Sequence, residues 1–176
     1  MDFPAGRYMM RHIDTKMPDM FIADLDRQFQ RLHTDSTTLL RALAPERLYW
    51  KPEAEQSVTP IYSCGEYLLR SAGGVERTFG GLTANLWDDP FEWTLPEVLR
   101  SPVDLLAYFD EVEATRRRGF ALLKTDEELA RVIALSPDEF KPLGELLLDT
   151  LTRAVHWQGN AFAIYSLFSD LPANRP

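Results

Sequence analysis

Apolar residues recur every three or four positions in four long segments of the chain, and this spacing predicts four amphipathic helices. The segments run from about residue 18 to 43, from 63 to 81, from 102 to 123 and from 143 to 168. The fourth is apolar over more than half of its circumference, so we expect it to be the most buried helix. The pattern predicts an all-α protein, an antiparallel four-helix bundle with long middle connections.

Local signals refine the second helix and the connection before the fourth. Ser63 followed by Glu66 predicts a capping box at the start of the second helix, and Gly80–Gly81 predicts its end. The paired glycines Gly73–Gly74 inside it predict a kink or the close approach of a neighbouring helix, because glycine weakens a helix interior. Residues 125–142 are expected to form a connection with one or two short helical turns at most.

Length, composition and charge describe one ordinary globular domain. The chain has 176 residues, 45% hydrophobic and 26% charged, enough for a buried core. We assign the bundle to residues 18–170, with an N-terminal arm at 1–17 and a tail at 171–176. A net charge of -8 without a basic run argues against binding to nucleic acid or an anionic membrane. With a single cysteine, Cys64, and no signal-like or membrane-spanning segment, the expected location is the cytoplasm.

The residues themselves point to no catalytic group. The three histidines, His12, His33 and His156, are far apart, and none has a second histidine three or four positions away, as a helical zinc site requires. Each is expected to be structural or exposed. Cys64 has no nearby histidine in the sequence to activate it, and no glycine-rich phosphate loop is present.

Two motifs resemble a known family. The segment "SCGEYLLRSA" is similar to the second helix of the DinB/YfiT-like bundle proteins, which reads Ser-x-x-Glu, apolar residues and then His. The segment "LGELLLDTLTRAVHWQGNAFAIY" resembles their last helix, Leu-Gly-Glu-Leu-Leu, then His-x-x-x-His, a basic residue, Gly and Gln. With the loop "NLWDDPFEW" and the segment "DEELARVI", the resemblance covers nearly the whole chain beyond the arm. It implies an often dimeric four-helix bundle in which three histidines hold a divalent metal, in a family that includes thiol-dependent transferases and isomerases.

The three histidine positions of that family hold other residues in this chain. Taking Gly159 as the motif glycine, they fall on Arg70, Arg153 and Trp157. None can bind a metal, because a protonated guanidinium and an indole N–H offer no lone pair. His156 lies one residue before the second position, about 100° away around the helix. The resemblance therefore implies a lost metal site, no resident cofactor and no metal-dependent hydrolase or transferase activity.

One hypothesis is that the lost metal site has become a ligand-binding pocket between the second and fourth helices. Arg70 and Arg153 would bind a small anionic molecule, since guanidinium groups bind carboxylate or phosphate through two hydrogen bonds. Trp157 would form its wall, and His156 would lie beside it. The partners implied are this small anion and, from the resemblance, a second copy of the chain in a homodimer.

The opposing reading is an ion-pair network without any ligand. Glu66 lies one helical turn before Arg70, and Asp149 lies one turn before Arg153, so each carboxylate can pair with its arginine. On a helical wheel Arg70 also falls nearly opposite the centre of the apolar stripe, which favours a position facing solvent.

Two further alternatives remain. A metal-dependent enzyme of the DinB type could use the non-standard ligands His156, Asp149 and Glu66. A structural or interaction module could instead use the aromatic side chains of the loop before the third helix, namely Trp87, Phe91 and Trp93.

Overall fold

A computed structural model of the chain describes residues 20–52, 60–87 and 96–167. The predicted arm at 1–17 and the predicted tail at 171–176 lie outside these residues. The four predicted helices are confirmed in the described part of the chain: α1 (Met20–Ala42), α2 (Cys64–Ala84), α3 (Pro102–Ala121) and α4 (Leu143–Ser166). Short 3₁₀ turns occupy Pro45–Arg47 and Asp126–Ala130, and two strands follow the second turn: β1 (Val132–Ser136) and β2 (Glu139–Pro142).

The described residues are mostly helical, and the two strands correct only the expectation that the connection between α3 and α4 contains short helical turns alone. The 3₁₀ turn is present, but β1 and β2 then pair in an antiparallel hairpin, with Val132 opposite Pro142 and Ile133 opposite Lys141. Alternating burial in β1 is typical of a strand that covers other elements on one side. The hairpin leads directly into α4.

The end of α2 also differs from the expectation. The helix does not stop at Gly80–Gly81 but continues for another turn, and Asn85 ends it in the left-handed conformation at φ 57°. Gly81 serves a different purpose, because a Cβ at this position would overlap the indole ring of Trp87. The glycine therefore lets the chain after α2 fold back closely onto the helix.

Helices α2 and α4 pack side by side in opposite directions. Ser71 Oγ donates a hydrogen bond of 2.9 Å to the carbonyl of Ala154, and Thr78 Oγ1 lies 2.7 Å from Thr150 Oγ1. The partner numbers fall along α4 as they rise along α2, which makes this pair antiparallel.

Helices α2 and α3, in contrast, run in the same direction. Near the middle of α2, Tyr108 of α3 donates a hydrogen bond of 2.5 Å to Glu76, and further along α2 the rings of Phe79 and Phe120 lie 5.2 Å apart. Partner numbers rise together along both helices. The antiparallel expectation thus does not hold for this pair, and the long connection between α2 and α3 lets the chain return to the same end.

The core is centred on α2 and not on α4 as expected from hydrophobicity. Twelve of the 21 residues of α2 are buried, against eight of the 24 residues of α4. α2 packs against both α3 and α4, whereas one face of α4 is not covered by the residues that the structure describes. None of the helices in the described ranges is long and apolar enough to cross a membrane. Three large apolar side chains of α4 remain exposed: Leu148, Val155 and Phe162.

Candidate functional site

A cavity of about 610 Å³ lies between α2 and α4, with the β1–β2 hairpin at one end. This volume falls within the range of roughly 300–1,000 Å³ that is usual for small-molecule sites. The three positions singled out in the sequence, Arg70, Arg153 and Trp157, all line it. The space predicted for a converted pocket is therefore present, and the side chains of the described residues do not fill it.

The paired glycines of α2 form part of the cavity wall. Helix α2 runs through Gly73–Gly74 without interruption, so the pair does not end it. A Cβ on Gly74 would meet no heavy atom within 4 Å. The expectation that a neighbouring helix approaches closely is thus wrong for Gly74, which leaves open space where a larger side chain would enter the cavity.

Aromatic rings hold Arg70 at the cavity. Its guanidinium carbon lies 4.0 Å from the ring centroid of Tyr62 and 5.7 Å from that of Trp157. Trp157 is itself stacked on Tyr67, with centroids 5.9 Å apart and ring planes at 27°. Cation–π attraction of this kind keeps a guanidinium against a ring face. Arg70 therefore lines the cavity, which corrects the helical-wheel placement toward solvent.

Glu66 pairs with groups other than Arg70. Its carboxylate accepts hydrogen bonds from the backbone N–H of Ser63 at 2.8 Å and the Ser63 hydroxyl at 2.7 Å, which completes the predicted capping box. The same carboxylate binds Lys51 Nζ at 2.8 Å. Burial alone would raise the pKa of Glu66, but the bonds from Lys51 and Ser63 outweigh it and hold the pKa below its usual value. The expected Glu66–Arg70 pair is absent.

The second expected pair, between Asp149 and Arg153, is also absent. Asp149 accepts a hydrogen bond of 2.6 Å from Lys141 of β2, and this bond raises the pKa of the Lys141 ammonium. Arg153 is exposed at the cavity and has no hydrogen-bond or ion-pair partner within the ranges that the structure describes. The purely structural explanation therefore fails for Arg153, because a lysine from the hairpin has taken its neighbouring carboxylate.

The histidines do not gather at this cavity. His156 is exposed, and its Nε2 lies 3.2 Å from the side-chain amide of Asn160. It packs edge-on against Trp157 but does not line the cavity. His33 lies between α1 and α3, with its ring 6.3 Å from that of Phe109, and burial lowers its pKa. His12 lies outside the described residues.

The residues present do not fit the metal that the family resemblance implies. Arg70, Arg153 and Trp157 lack the lone pair that a ligand needs. In the described part of the chain, no three His, Cys, Asp or Glu side chains lie together in a group that would hold a metal ion. The non-standard set Glu66, Asp149 and His156 is thus not brought together.

Cys64 and the loop aromatics are accounted for by packing as far as they are described. Cys64 is fully buried, and burial raises the pKa of its thiol to about 12, which leaves it unreactive at neutral pH. Trp87 lines the cavity and donates a hydrogen bond of 3.1 Å to the side-chain oxygen of Asn85. Phe91 and Trp93 lie outside the described residues.

Several cavity residues were not singled out in the sequence, among them Arg77, Lys141 and Thr78. Arg77 follows Arg70 by seven residues, so helical spacing alone would have put both on one face of α2. Its Nε donates a hydrogen bond of 3.0 Å to the carbonyl of Trp87. Lys141 comes from the unexpected hairpin, and Thr78 is a small polar residue within an apolar stripe, so neither gave a signal.

Comparison of the chain with models of protein families, with curated proteins and with solved structures finds no match. Inference about function consequently starts from the chemistry of the cavity.

Proposed function

We propose that this chain is a divergent DinB/YfiT-like bundle protein that binds a small anionic molecule in the α2–α4 cavity. Arg153 carries the proposal: it stands at the cavity, and within the described ranges no side chain or carbonyl pairs with it. A guanidinium group binds a carboxylate or phosphate through two parallel hydrogen bonds, so an uncommitted arginine beside a cavity is suited to an anion.

The other charges of the cavity support an anionic ligand near Arg153. The lining carries four basic and four acidic side chains, but two of the acidic ones are already bonded to lysines. Glu66 is held by Lys51, which lies outside the lining, and Asp149 by Lys141. Arg70 adds a second guanidinium to the lining, near Trp157. With Asp149 bonded to Lys141, the surroundings of Arg153 favour negative charge even though the whole chain has a net charge of -8.

A direct test measures anion binding by isothermal titration calorimetry at low ionic strength, where electrostatic attraction is least screened. The probes are inorganic phosphate, succinate and benzoate. The variant Arg153→Met should weaken binding of the preferred probe about ten-fold or more, because charged hydrogen bonds contribute about 1.5–3 kcal/mol. Arg31→Met on α1 removes the same charge away from the cavity and should leave binding unchanged.

A second variant tests the location. Gly74→Trp places an indole in the open space of the cavity without an overlap at its Cβ, so it should abolish binding while the helical circular-dichroism spectrum is retained. The proposal is wrong if the unmodified protein binds none of the three anions. It is equally wrong if binding survives both Arg153→Met and Gly74→Trp.

We propose no catalytic residue and no resident cofactor. The alternative of a metal-dependent enzyme would need ligands that share a site, and Glu66, Asp149 and His156 do not form one. The cytoplasm is the proposed location, on the ground that the single Cys64 can form no disulfide within the chain.

Self-association into a homodimer is also proposed, through the open face of α4. Leu148, Val155 and Phe162 are exposed by 55, 48 and 41% and lie seven residues apart, so they share one side of the helix. Arg153 and Asp149 are the charged residues of α4 closest to them in sequence, and both line the cavity. Two copies of an acidic chain can thus meet on this face without bringing like charges together.

Light scattering coupled to size-exclusion chromatography tests the dimer. The chain should elute at about twice its mass of 20.2 kDa at micromolar concentration, and Val155→Lys should reduce it to a monomer. Arg31→Lys, at an exposed position of α1, is the surface control. A monomeric unmodified chain at these concentrations would show that the exposed face serves no dimer.

A further inference from the structure

Two buried threonines, one from each helix, line the cavity. Thr78 Oγ1 of α2 and Thr150 Oγ1 of α4 lie 2.7 Å apart. Thr150 Oγ1 also lies 2.8 Å from the backbone carbonyl of Leu146. Both threonines line the cavity as well as the helix interface.

These contacts determine the direction of the hydrogen bonds. A threonine hydroxyl has one hydrogen to donate, and a backbone carbonyl can only accept. Thr150 therefore donates to Leu146, and Thr78 donates to Thr150. With its own hydrogen committed, the Thr78 oxygen has only acceptor capacity left for a molecule in the cavity.

The acceptor and the arginine are close along the helix axis. Thr150 precedes Arg153 by three residues, which corresponds to roughly 4.5 Å of rise. A compact molecule can thus reach Arg153 with a negative group and Thr78 with a hydrogen-bond donor. The lining also includes apolar and aromatic side chains, among them Leu69, Leu146 and Trp157. A flat ring suits such walls, because ring faces pack against aromatic and branched side chains.

We infer that the ligand of this cavity is an aromatic carboxylate carrying an O–H or N–H donor on the far side of its ring, and that Thr78 selects for that donor. This inference rests on the proposed anion binding at Arg153 and adds the ligand class and a specificity-determining residue. If the ligand carries a group without a hydrogen at this position, its acceptor atom faces the acceptor oxygen of Thr78. The two acceptors repel each other, and the Thr78 oxygen gains no hydrogen bond from the ligand.

The test compares 4-hydroxyphenylacetate with 4-methoxyphenylacetate by isothermal titration calorimetry. The two acids share the ring and the carboxylate, but only the first has a donor. The unmodified protein should prefer the hydroxyl compound about ten-fold, the size expected for one neutral hydrogen bond. Thr78→Val should remove this preference, whereas Thr78→Ser, which keeps the hydroxyl, should retain it.

Two controls separate the donor effect from general damage. Thr38→Val on α1 removes a hydroxyl that bonds only within its own helix, and the preference should persist. Arg153→Met should weaken both acids by the same factor and so leave their ratio unchanged. Retained melting temperature shows that each variant is folded, and Thr78→Ala, which also lacks the hydroxyl, carries the test if the valine variant does not fold.

The outcomes distinguish this inference from the proposed function. Equal binding of the two acids, with loss of both on Arg153→Met, overturns the inference and leaves anion binding intact. The same conclusion follows if neither acid binds while phosphate or succinate does. A preference that survives Thr78→Val shows that another group reads the donor. If no anion binds at all, both the inference and the proposed function are wrong.

Discussion

The two sides of the molecule use arginine in opposite ways. Between α1 and α3, Arg116 is 3% exposed and binds Glu113 twice, at 2.7 and 2.8 Å, and also Asp26. Between α2 and α4, Arg153 is exposed at a cavity without such a partner in the described ranges. Arg116 is fully engaged in ion pairs that stabilise the fold, and Arg153 remains available for a ligand.

Burial explains the difference. Burial opposes the charged form of Arg116, but the bonds to Glu113 and Asp26 outweigh it and raise its pKa. Burial likewise opposes the charge of Glu113, and its bonds to Arg116 and Arg117 outweigh that penalty and lower its pKa. A buried charge is strongly destabilising unless it is paired, whereas an exposed charge is solvated by water and can bind a ligand from solution. The presence of carboxylate partners thus distinguishes the structural Arg116 cluster from the candidate site at Arg153.

The largest expected effect is a loss of stability when the buried Arg116–Glu113 ion pair is broken. Arg116→Met leaves Glu113 buried with only Arg117 and should lower the free energy of unfolding by about 3–5 kcal/mol. The matched change Arg153→Met should alter it by less than about 0.5 kcal/mol, as is usual for surface positions. Urea denaturation followed by circular dichroism measures both. Similar losses of unfolding free energy in the two variants would show that Arg153, like Arg116, has a structural role.

Glycine substitutions give the next largest effect and compare the packing of the two sides. A Cβ on Gly119 of α3 would overlap the buried ring of Phe79, which also packs against Phe29 at 5.3 Å. Gly119→Ala should therefore destabilise the protein by about 1–3 kcal/mol. Gly74→Ala meets only open space and should stabilise α2 by about 0.5–1 kcal/mol, because alanine favours the helix.

Thermal unfolding of the two alanine variants in parallel provides the measurement. Opposite signs support a tight α2–α3 contact and an open α2–α4 cavity. If Gly74→Ala instead destabilises, the space beside Gly74 is closed in solution.

The smallest effect is a pH dependence on the α1–α3 side. Burial holds the pKa of His33 below its ordinary value of 6.5, so the folded protein favours the neutral ring. As pH falls below 6.5, the unfolded chain binds a proton that the folded state resists, and stability decreases until the folded pKa is passed. His33→Gln should remove this loss between pH 7 and 5, as measured by urea midpoints. A slope that persists in His33→Gln would show that groups other than His33 cause it.

Much of the fold could be predicted from the sequence because helices are local. The spacing of apolar residues located all four helices, and Ser63 with Glu66 located the start of α2. The hairpin was missed although its two strands are neighbours in the chain, because short apolar runs are ambiguous between strand and helix and strand preference depends on packing. The extension of α2 past Gly80–Gly81 was missed because the close packing of Trp87 requires glycine there for a different reason.

The candidate site was less predictable, although its position along two helices was anticipated. Arg70, Arg153 and Trp157 do line one cavity. Their partners could not be foreseen, since Lys51 and Lys141, which hold the two carboxylates, come from segments outside these helices. Pairing within a helix was the reasonable local guess, and tertiary neighbours replaced it.

The antiparallel pairing of α2 with α4 has a consequence for synthesis of the chain. The cavity wall on α2 is complete once residue 84 has been made, but its opposite wall does not begin until residue 143. Thus 58 further residues are made before α4 even begins, and Trp157, which covers Tyr67 of the helix with the most buried residues, comes later still. During that interval the apolar face of α2 is open to wrong partners, including another nascent chain, as is characteristic of contacts between distant segments. Translation speed across the hairpin region would therefore govern the yield of folded protein.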